Sequence, residues 1–309
     1  MKSEKEQAII YSPDTSAVFI ISFFSFAHCL IFNNLSNIQK LLFSYGHYPV
    51  MLISIIVPTK NEEKNISELL DTLIIQEQPI EIIIVDDKSK DLTQEIVRKY
   101  MEKYPFIKLH VKEGNIGESL NYGIEKASGE VIAFIGADDR ADKEWIKNIR
   151  KAIKEGHEAI AGKCVMKGKK KFEAERVSLY YKGIDISLPG TNTAYRKEIL
   201  KKIGGFDPRF ITAEDIDLNL RIVEAGYKIH LEERAIVYRY VRDNAIDFLK
   251  QAYRNGYGRK QLTLKHGKLW SQYSFNQMFS THLNFWGLLR LFFGLLGYMN
   301  CKITGGGIK

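Results

Sequence analysis

The sequence predicts an α/β fold, a mostly parallel sheet with helices on both faces, continued by an apolar helical tail at the C-terminus. Three observations predict it. Between Leu52 and Ile135, apolar runs of strand length alternate four times with helix-patterned stripes, the pattern of a parallel sheet covered on both sides. Two acidic pairs, Asp86-Asp87 and Asp138-Asp139, stand just past the ends of two of these runs. Charge is dense from Lys60 to about Lys260 and sparse at both ends, Lys40 being the only Lys, Arg, Asp or Glu between Ser16 and Val50. That division sets three parts: an apolar extension over 1–50, a body over 51–260 and a C-terminal helical segment over 261–309.

Leu52 to Pro58 (LISIIVP) reads as a buried strand, and Ile66, Leu69, Leu70, Leu73 and Ile74 then recur at helical spacing. Ile80 to Val85 is a second strand and stops at Asp86-Asp87. Asp91 is placed to cap the helix carrying Leu92, Ile96 and Val97, with Gln94 as its capping-box partner. Ile107 to Val111 is strand-like, Leu120, Ile124 and Ala127 mark the next helix, and Val131 to Ile135 is a fourth strand leading to Asp138-Asp139. Later, Glu214-Asp215 precedes Ile216, Leu218, Leu220, Ile222 and Val223, which reads as a helix start.

The two ends are apolar for different reasons. Ala17 to Phe32 is 16 residues long, short of the roughly 20 a spanning helix needs, and it lacks a signal-peptide cleavage site. It reads as a short membrane anchor, or else translation starts at Met51, where the first strand begins. Leu283 to Met299 contains one charge, Arg290. On a helix, Phe285, Leu288, Leu289, Phe292, Phe293 and Leu296 share one broad face, with Gly287, Arg290, Gly294 and Gly297 opposite. Such a segment suits the membrane interface, with Trp286 and Tyr298 at headgroup level. The alternative is a helix buried on the body. Its nearly all-round apolar character favours the membrane surface.

With 309 residues, 45% hydrophobic and 27% charged, the composition is that of a globular protein with a real core. The net charge of +8 suits nucleic acid, an anionic membrane or a diphosphate substrate. Cys29, Cys164 and Cys301 are far apart and form no CxxC pair. They support neither a disulfide framework nor a zinc site, and fit a reducing compartment. The histidines show no HxxxH spacing, against a histidine-rich metal site.

Open α/β sheets bind ligands at the carboxyl ends of their strands. A carboxylate pair held there repels itself unless a cation or hydrogen-bond donors offset it. One such pair reads equally well as turn chemistry; two pairs at two strand ends of one sheet point to a site. The loop after the first strand, PTKNEEKN, has neither the GxGxxG of an NAD oxidoreductase nor the Gly-rich basic loop of a sugar-phosphate nucleotidylyltransferase.

The ordered motifs SIIVPTKNEE, VDDKSKDLT, GNIGESLNYGIEKASGEVIAFIGADD, GTNTAYRKEILKKIGGFDPRF and EDIDLNLRIVEAGYKI, over roughly Leu52 to Lys260, resemble the family 2 glycosyltransferases of GT-A fold. The resemblance implies a Rossmann-like GT-A body and an inverting hexosyltransferase that moves a sugar from a UDP- or GDP-sugar to a hydroxyl acceptor. It sets Pro58, Glu62 and Asp87 against base and ribose, with Asp86 beside them. Asp87 can accept from an imino N–H of uracil or guanine, and Glu62 from ribose hydroxyls; the plainer reading of Glu62 is a helix-start acid. Asp138 and Asp139 correspond to the motif that holds Mg2+ or Mn2+ on the donor diphosphate, although Gly136 stands where many members carry Asp.

Asp215 matches the general base, with Glu214 beside it on the acceptor side. Gly190, Thr191 and Asn192 form a tight loop lining the sugar pocket, or a structural turn. Gln251 and Arg254 sit in QAYRNGYG, similar to the QxxRW signature but with Asn255 in the Trp position, and they are candidates to contact the acceptor or diphosphate. Lys167 to Lys171 is a solvated loop, or a contact for lipid headgroups. The expected partners are a nucleotide-sugar donor, a glycan or lipid-linked acceptor and the cytoplasmic face of the cell membrane, with no nucleic acid. A non-catalytic nucleotide-sugar or carbohydrate-binding protein of the same fold is the alternative, though it has little reason to keep Asp138, Asp139 and Asp215 together.

Overall fold

A computed structural model describes residues 51–168, 178–240, 244–267, 269 and 285–308. The apolar stretch 17–32, Lys169 to Lys171 of the basic cluster, and Leu283 lie outside the described residues. The chain divides into two compact units, Met1–Val50 and Met51–Lys309. Every described element belongs to the second.

Its first half alternates as the hydrophobic pattern requires. In order come β1 (Ile53–Thr59), α1 (Ile66–Ile74), β2 (Ile80–Asp86), α2 (Thr93–Met101), β3 (Ile107–Val111), α3 (Ile116–Lys126) and β4 (Val131–Phe134). Then follow β5 (Asp139–Ala141), α4 (Trp145–Lys154), β6 (Ala159–Lys167), the hairpin strands β7 (Tyr180–Tyr181) and β8 (Ile184–Asp185), β9 (Thr193–Arg196), α5 (Lys197–Lys202), α6 (Glu214–Glu224), β10 (Ile229–Tyr240), α7 (Ala245–His266) and α8 (Phe285–Thr304). The main sheet has eight strands in the order β3-β2-β1-β4-β9-β6-β10-β5. It is mostly parallel, with β9 and β5 running against their neighbours.

The strands are apolar on both sides because both faces are covered. Alternate side chains point to opposite faces. Ile53, Ile55 and Val57 of β1, with Ile82 and Ile84 of β2, meet Leu69, Leu70 and Leu73 of α1 and Trp145 and Ile149 of α4. Ile56, Ile83 and Val85 turn the other way, onto Leu120 and Ile124 of α3, Leu200 of α5, and Leu218 and Ile222 of α6. A third cluster joins α6 and α7 to the β7–β8 hairpin. Each fully buried large apolar side chain contributes roughly 1.5–3 kcal/mol.

Local signals explain the helix starts. Asp91 accepts from the Thr93 amide at 3.1 Å, but the N-cap position falls on Leu92, one residue later than expected. Gln94 does not close a box with Asp91; its amide donates to Asp86 instead, at 2.6 Å. α3 begins with a full capping box between Asn115 and Glu118. α6 begins after Ala213, which holds a left-handed φ of 66°, and Glu214, Asp215 and Asp217 fill its first turn, where the helix dipole favours negative charge.

α7 and α8 lie side by side and parallel. Phe248 meets Trp286 near the starts of the two helices, and Lys260 lies over the Tyr298 ring further along. Glycines make the contact: a Cβ on Gly256 would sit 1.8 Å from the Gly294 carbonyl oxygen, and one on Gly297 1.9 Å from that of Tyr253. The small-residue side of α8 therefore faces the protein, and the large apolar side faces outward. Among the described residues, no helix is long and apolar enough to cross a membrane.

Candidate active site

The carboxyl ends of β1, β2 and β4, the start of β5 and the first turn of α6 carry the acidic residues. Asp86 is the last residue of β2 and is fully buried. It accepts from the Ser89 amide at 2.9 Å, the Gln94 side chain at 2.6 Å, the Thr59 hydroxyl at 3.3 Å and the Ser89 hydroxyl. Those donors satisfy both its oxygens, so Asp86 shapes the loop after β2 and presents no free oxygen to a ligand. Asp87, the next residue, is half-buried. It accepts from Lys60 at 2.5 Å and from the Gly114 amide at 3.2 Å, and the Lys60 bond keeps its carboxyl below the usual carboxylate range.

Pro58 is half-buried near the end of β1. Glu62 accepts from Asn65 at 2.7 Å. Burial raises its carboxyl above the ordinary value; the Asn65 bond opposes this, and the negative charges of Asp138 and Asp91 add to it.

The second acidic pair divides. Asp138 is exposed, whereas Asp139 is fully buried. Asp139 binds Arg239 of β10 through both oxygens, at 3.0 and 3.3 Å, and accepts from the Gly136 amide at 3.3 Å. Burial pushes its carboxyl up, against the pull of Arg239. Gly136 is more than a missing carboxylate. A Cβ there would lie 2.9 Å from Asp139 Oδ2 and 3.0 Å from Asp138 Oδ1, so a side chain at 136 would displace both. A hard divalent cation takes one or two protein carboxylates and fills the remaining positions with phosphate and water. Asp138 fits that part. Asp139, expected as a second ligand, is already neutralised by Arg239. Among the described residues, no three His, Cys, Asp or Glu converge as a metal cage.

At the start of α6, Asp215 accepts from the Gly190 amide at 2.9 Å and from the Ile216 amide at 2.8 Å. A Cβ on Gly190 would lie 2.8 Å from that of Asp215, so glycine is what allows this approach. Burial raises the carboxyls of both Glu214 and Asp215, and Asp215's charge raises Glu214 further. The two amides and the nearby Arg259 favour the Asp215 anion. Burial outweighs these donors, and the net direction for both carboxyls is up.

Asn192 departs from the expected sugar contact. It is 1% exposed and holds a left-handed φ of 105°. Its Oδ1 accepts from Trp145 Nε1 at 2.8 Å, while Nδ2 donates to the Lys163 and Ala235 carbonyls at 3.1 and 2.9 Å. It pins the 190–192 loop to α4, β6 and β10, and has no polar group left for a sugar. Thr191 accepts from Arg239, so one guanidinium joins the Asp138-Asp139 loop to the loop that holds Asp215. On α7, Gln251 donates to Asn255 at 2.8 Å and Arg254 is exposed. Sequence reasoning missed Arg239 and Arg259. Neither lies in a motif; the only hint of Arg239 was that a buried carboxylate requires a partner.

With the geometry described, similarity to known proteins can be stated. The family described as "Glycosyl transferase family 2" matches residues 54–211. The chain is 29% identical over 237 residues to the probable glycosyltransferase YdaM of Bacillus subtilis, covering 69% of this chain and 56% of that protein. It is 27% identical over 245 residues to a dolichyl N-acetyl-alpha-D-glucosaminyl phosphate 3-beta-D-2,3-diacetamido-2,3-dideoxy-beta-D-glucuronosyltransferase of Methanococcus voltae, covering 70% of this chain and 74% of that one. It is 32% identical over 209 residues to the poly(ribitol-phosphate) beta-N-acetylglucosaminyltransferase TarS of Staphylococcus aureus, covering 63% of this chain and 36% of TarS. The chain thus spans about half of the first relative and about a third of the last.

Two solved structures share the fold. A Pyrobaculum calidifontis mannosyltransferase in complex with GDP-Man and Mn2+ has a TM-score of 0.57 at 21% identity, covering 81% of this chain and 75% of that one. TarS in complex with UDP has a TM-score of 0.51 at 24% identity, covering 82% and 72%.

Proposed function

The chain belongs to glycosyl transferase family 2 and is a glycosyltransferase, and from that premise we propose that it moves a sugar from a UDP- or GDP-sugar to a hydroxyl of a lipid-linked or polysaccharide acceptor, with inversion, at the cytoplasmic face of the cell membrane. The observation that carries this reading is the placement of Asp215. Its carboxyl is half-buried at a helix start and accepts from the Gly190 amide at 2.9 Å. In its ionised form, a carboxylate so placed accepts the acceptor hydroxyl's proton as the oxygen attacks the anomeric carbon. The nucleoside diphosphate leaves from the opposite face, which inverts the configuration.

Asp87 and Glu62 suit the base and ribose, beside Pro58. Mg2+ or Mn2+ held by Asp138 would supply charge neutralisation on the leaving diphosphate. Asp139 and Arg239 keep that loop in place without lending it net charge. Support for the donor class comes from fold relatives whose structures are solved in complex with UDP and with GDP-Man and Mn2+. Support for the acceptor class comes from relatives named for a dolichyl phosphate glycan and for poly(ribitol-phosphate).

The test is transfer or hydrolysis from a panel of UDP- and GDP-sugars with Mn2+. Asp215→Asn should lower kcat by about 10²–10⁴-fold and leave donor affinity unchanged. Because burial raises the Asp215 carboxyl, kcat should climb with pH across a limb displaced above the ordinary aspartate value of about 3.9. Absence of turnover with every donor, or full activity in the variant, would sink this reading.

A further inference from the structure

We infer that Trp145 and Asn192 are positioning residues for Asp215, which act by fixing the loop that presents the Gly190 amide to its carboxyl. This rests on the reading of Asp215 as the general base, and it names what sets that base in place.

Trp145 and Asp215 belong to opposite faces of the sheet. Trp145, the first residue of α4, is fully buried in the core shared with α1. α6, whose first turn carries Asp215, packs into the core on the other face. The loop 190–192 joins the two, because it enters β9 at Thr193, between β4 and β6 in the sheet.

Asn192 is the point at which that loop is held. The Trp145 Nε1 donates to its Oδ1 at 2.8 Å, and its Nδ2 donates to the Lys163 and Ala235 carbonyls of β6 and β10. Its amide donates to the Phe134 carbonyl of β4 at 2.9 Å, and its carbonyl accepts from the Gly162 amide of β6 at 2.8 Å. Three strands and one helix therefore grip a single residue. Its φ of 105° is left-handed, a conformation that a non-glycine residue keeps only where its surroundings over-determine it. Gly162 clears the space: a Cβ there would lie 2.3 Å from Asn192 Oδ1 and 2.3 Å from the Ala235 carbonyl oxygen.

The group so secured stands two residues back. Gly190 donates its amide to Asp215 Oδ2 at 2.9 Å, and its carbonyl accepts from the Thr193 hydroxyl at 2.9 Å. Two residues span about 7 Å at most, so a displaced Asn192 carries the Gly190 amide with it. A hydrogen bond to a carboxylate favours its charged form, and losing that bond raises the proton affinity of Asp215. Among the described residues, Glu214 on α6, Arg259 on α7 and Tyr195 on β9 also act on this carboxyl electrostatically. A substitution at Trp145 replaces none of them.

The experiment is Trp145→Phe in the full chain, which keeps a buried ring and removes the N–H that Asn192 accepts. The Asp215 carboxyl is followed by 13C NMR of aspartate-labelled protein, its signal assigned by its absence in Asp215→Asn. Its midpoint is expected about one pH unit higher in Trp145→Phe, the tenfold in proton affinity that a hydrogen bond to a charged group carries. kcat should fall by about ten- to a hundredfold, as a small misplacement of a reacting group produces, with the donor KM unchanged. Asn192→Gly, which suits the left-handed backbone but removes the pinning side chain, should move the midpoint the same way and serves should Trp145→Phe fail to fold. Asn148→Ala is the control. It removes another bond from α4, to the Arg234 carbonyl at 2.8 Å, and should lower the thermal midpoint without moving the Asp215 titration. An unmoved Asp215 midpoint in the folded variants, or an equal shift in Asn148→Ala, overturns the proposal. The titration is read without turnover, so a parent that titrates as stated yet transfers no sugar sinks the transfer reading alone.

Discussion

Arg239 reaches from β10 to Asp139 with two nitrogens and donates to Thr191 with the same guanidinium. The arrangement sets two loops against each other, one carrying Asp138 and the other presenting the Gly190 amide to Asp215. It also explains how a carboxylate with no exposed surface persists in the fold. Removing the guanidinium alone would leave an uncompensated buried charge, which costs about 3–5 kcal/mol. Arg239→Met should therefore lower the thermal midpoint sharply, and adding Asp139→Asn should restore part of the loss. Equal midpoints for parent and single variant in a calorimetric scan would contradict this account. From its place at a strand end Asp139 was expected as a metal ligand, whereas in the fold it is held by Arg239. That partner was not legible in the sequence, because it stands 100 residues away in a strand with no motif.

At the level of elements, the last turn of α7 is bolted to the first turn of α6. Asp217, fully buried, accepts from Arg221 at 2.9 Å, lies 2.7 Å from His266 and takes Lys265 at 2.6 Å. Lys265 also reaches Asp207 at 2.7 Å, and Asp207 holds Arg209. Arg209, with Lys265, keeps the Asp207 carboxyl well below its ordinary range. Burial pushes Asp217 up, but His266, Arg221 and Lys265 outweigh it and the net direction is down. Carboxyls depressed in the folded state stabilise above their unfolded value, about 3.9, and that stability is lost as pH falls through the folded values. The melting temperature should accordingly drop below about pH 4, and Asp217→Asn should flatten that acid limb. An acid limb of the same steepness in the variant would show that other groups carry it. The start of α6 was visible in sequence; the helix α7 over Ala245–His266 was not read there, and the ion network between the two depends on which turns meet.

At the scale of the whole molecule, the unit Met51–Lys309 contains the eight-stranded sheet and the helices that cover it. Domains with their own core fold alone. A chain starting at Met51 should therefore match the full chain in circular dichroism and in donor affinity; an insoluble product, or one that fails to bind donor, would show that residues 1–50 are needed for the fold.

The strands from β1 to β4, the helices between them and the acidic pairs at their ends were legible from the sequence alone, because each rests on local periodicity or on a contiguous motif. The motifs also carried the family. The tertiary structure decided what each polar group is free to do. It sealed Asp86 and Asp139 among donors, left Asp138 exposed, made Asn192 a pin between α4, β6 and β10, and turned the glycine side of α8 inward. Those outcomes depend on contacts between elements distant along the chain, and periodicity, which reports only which residues share a face, does not specify what that face will meet.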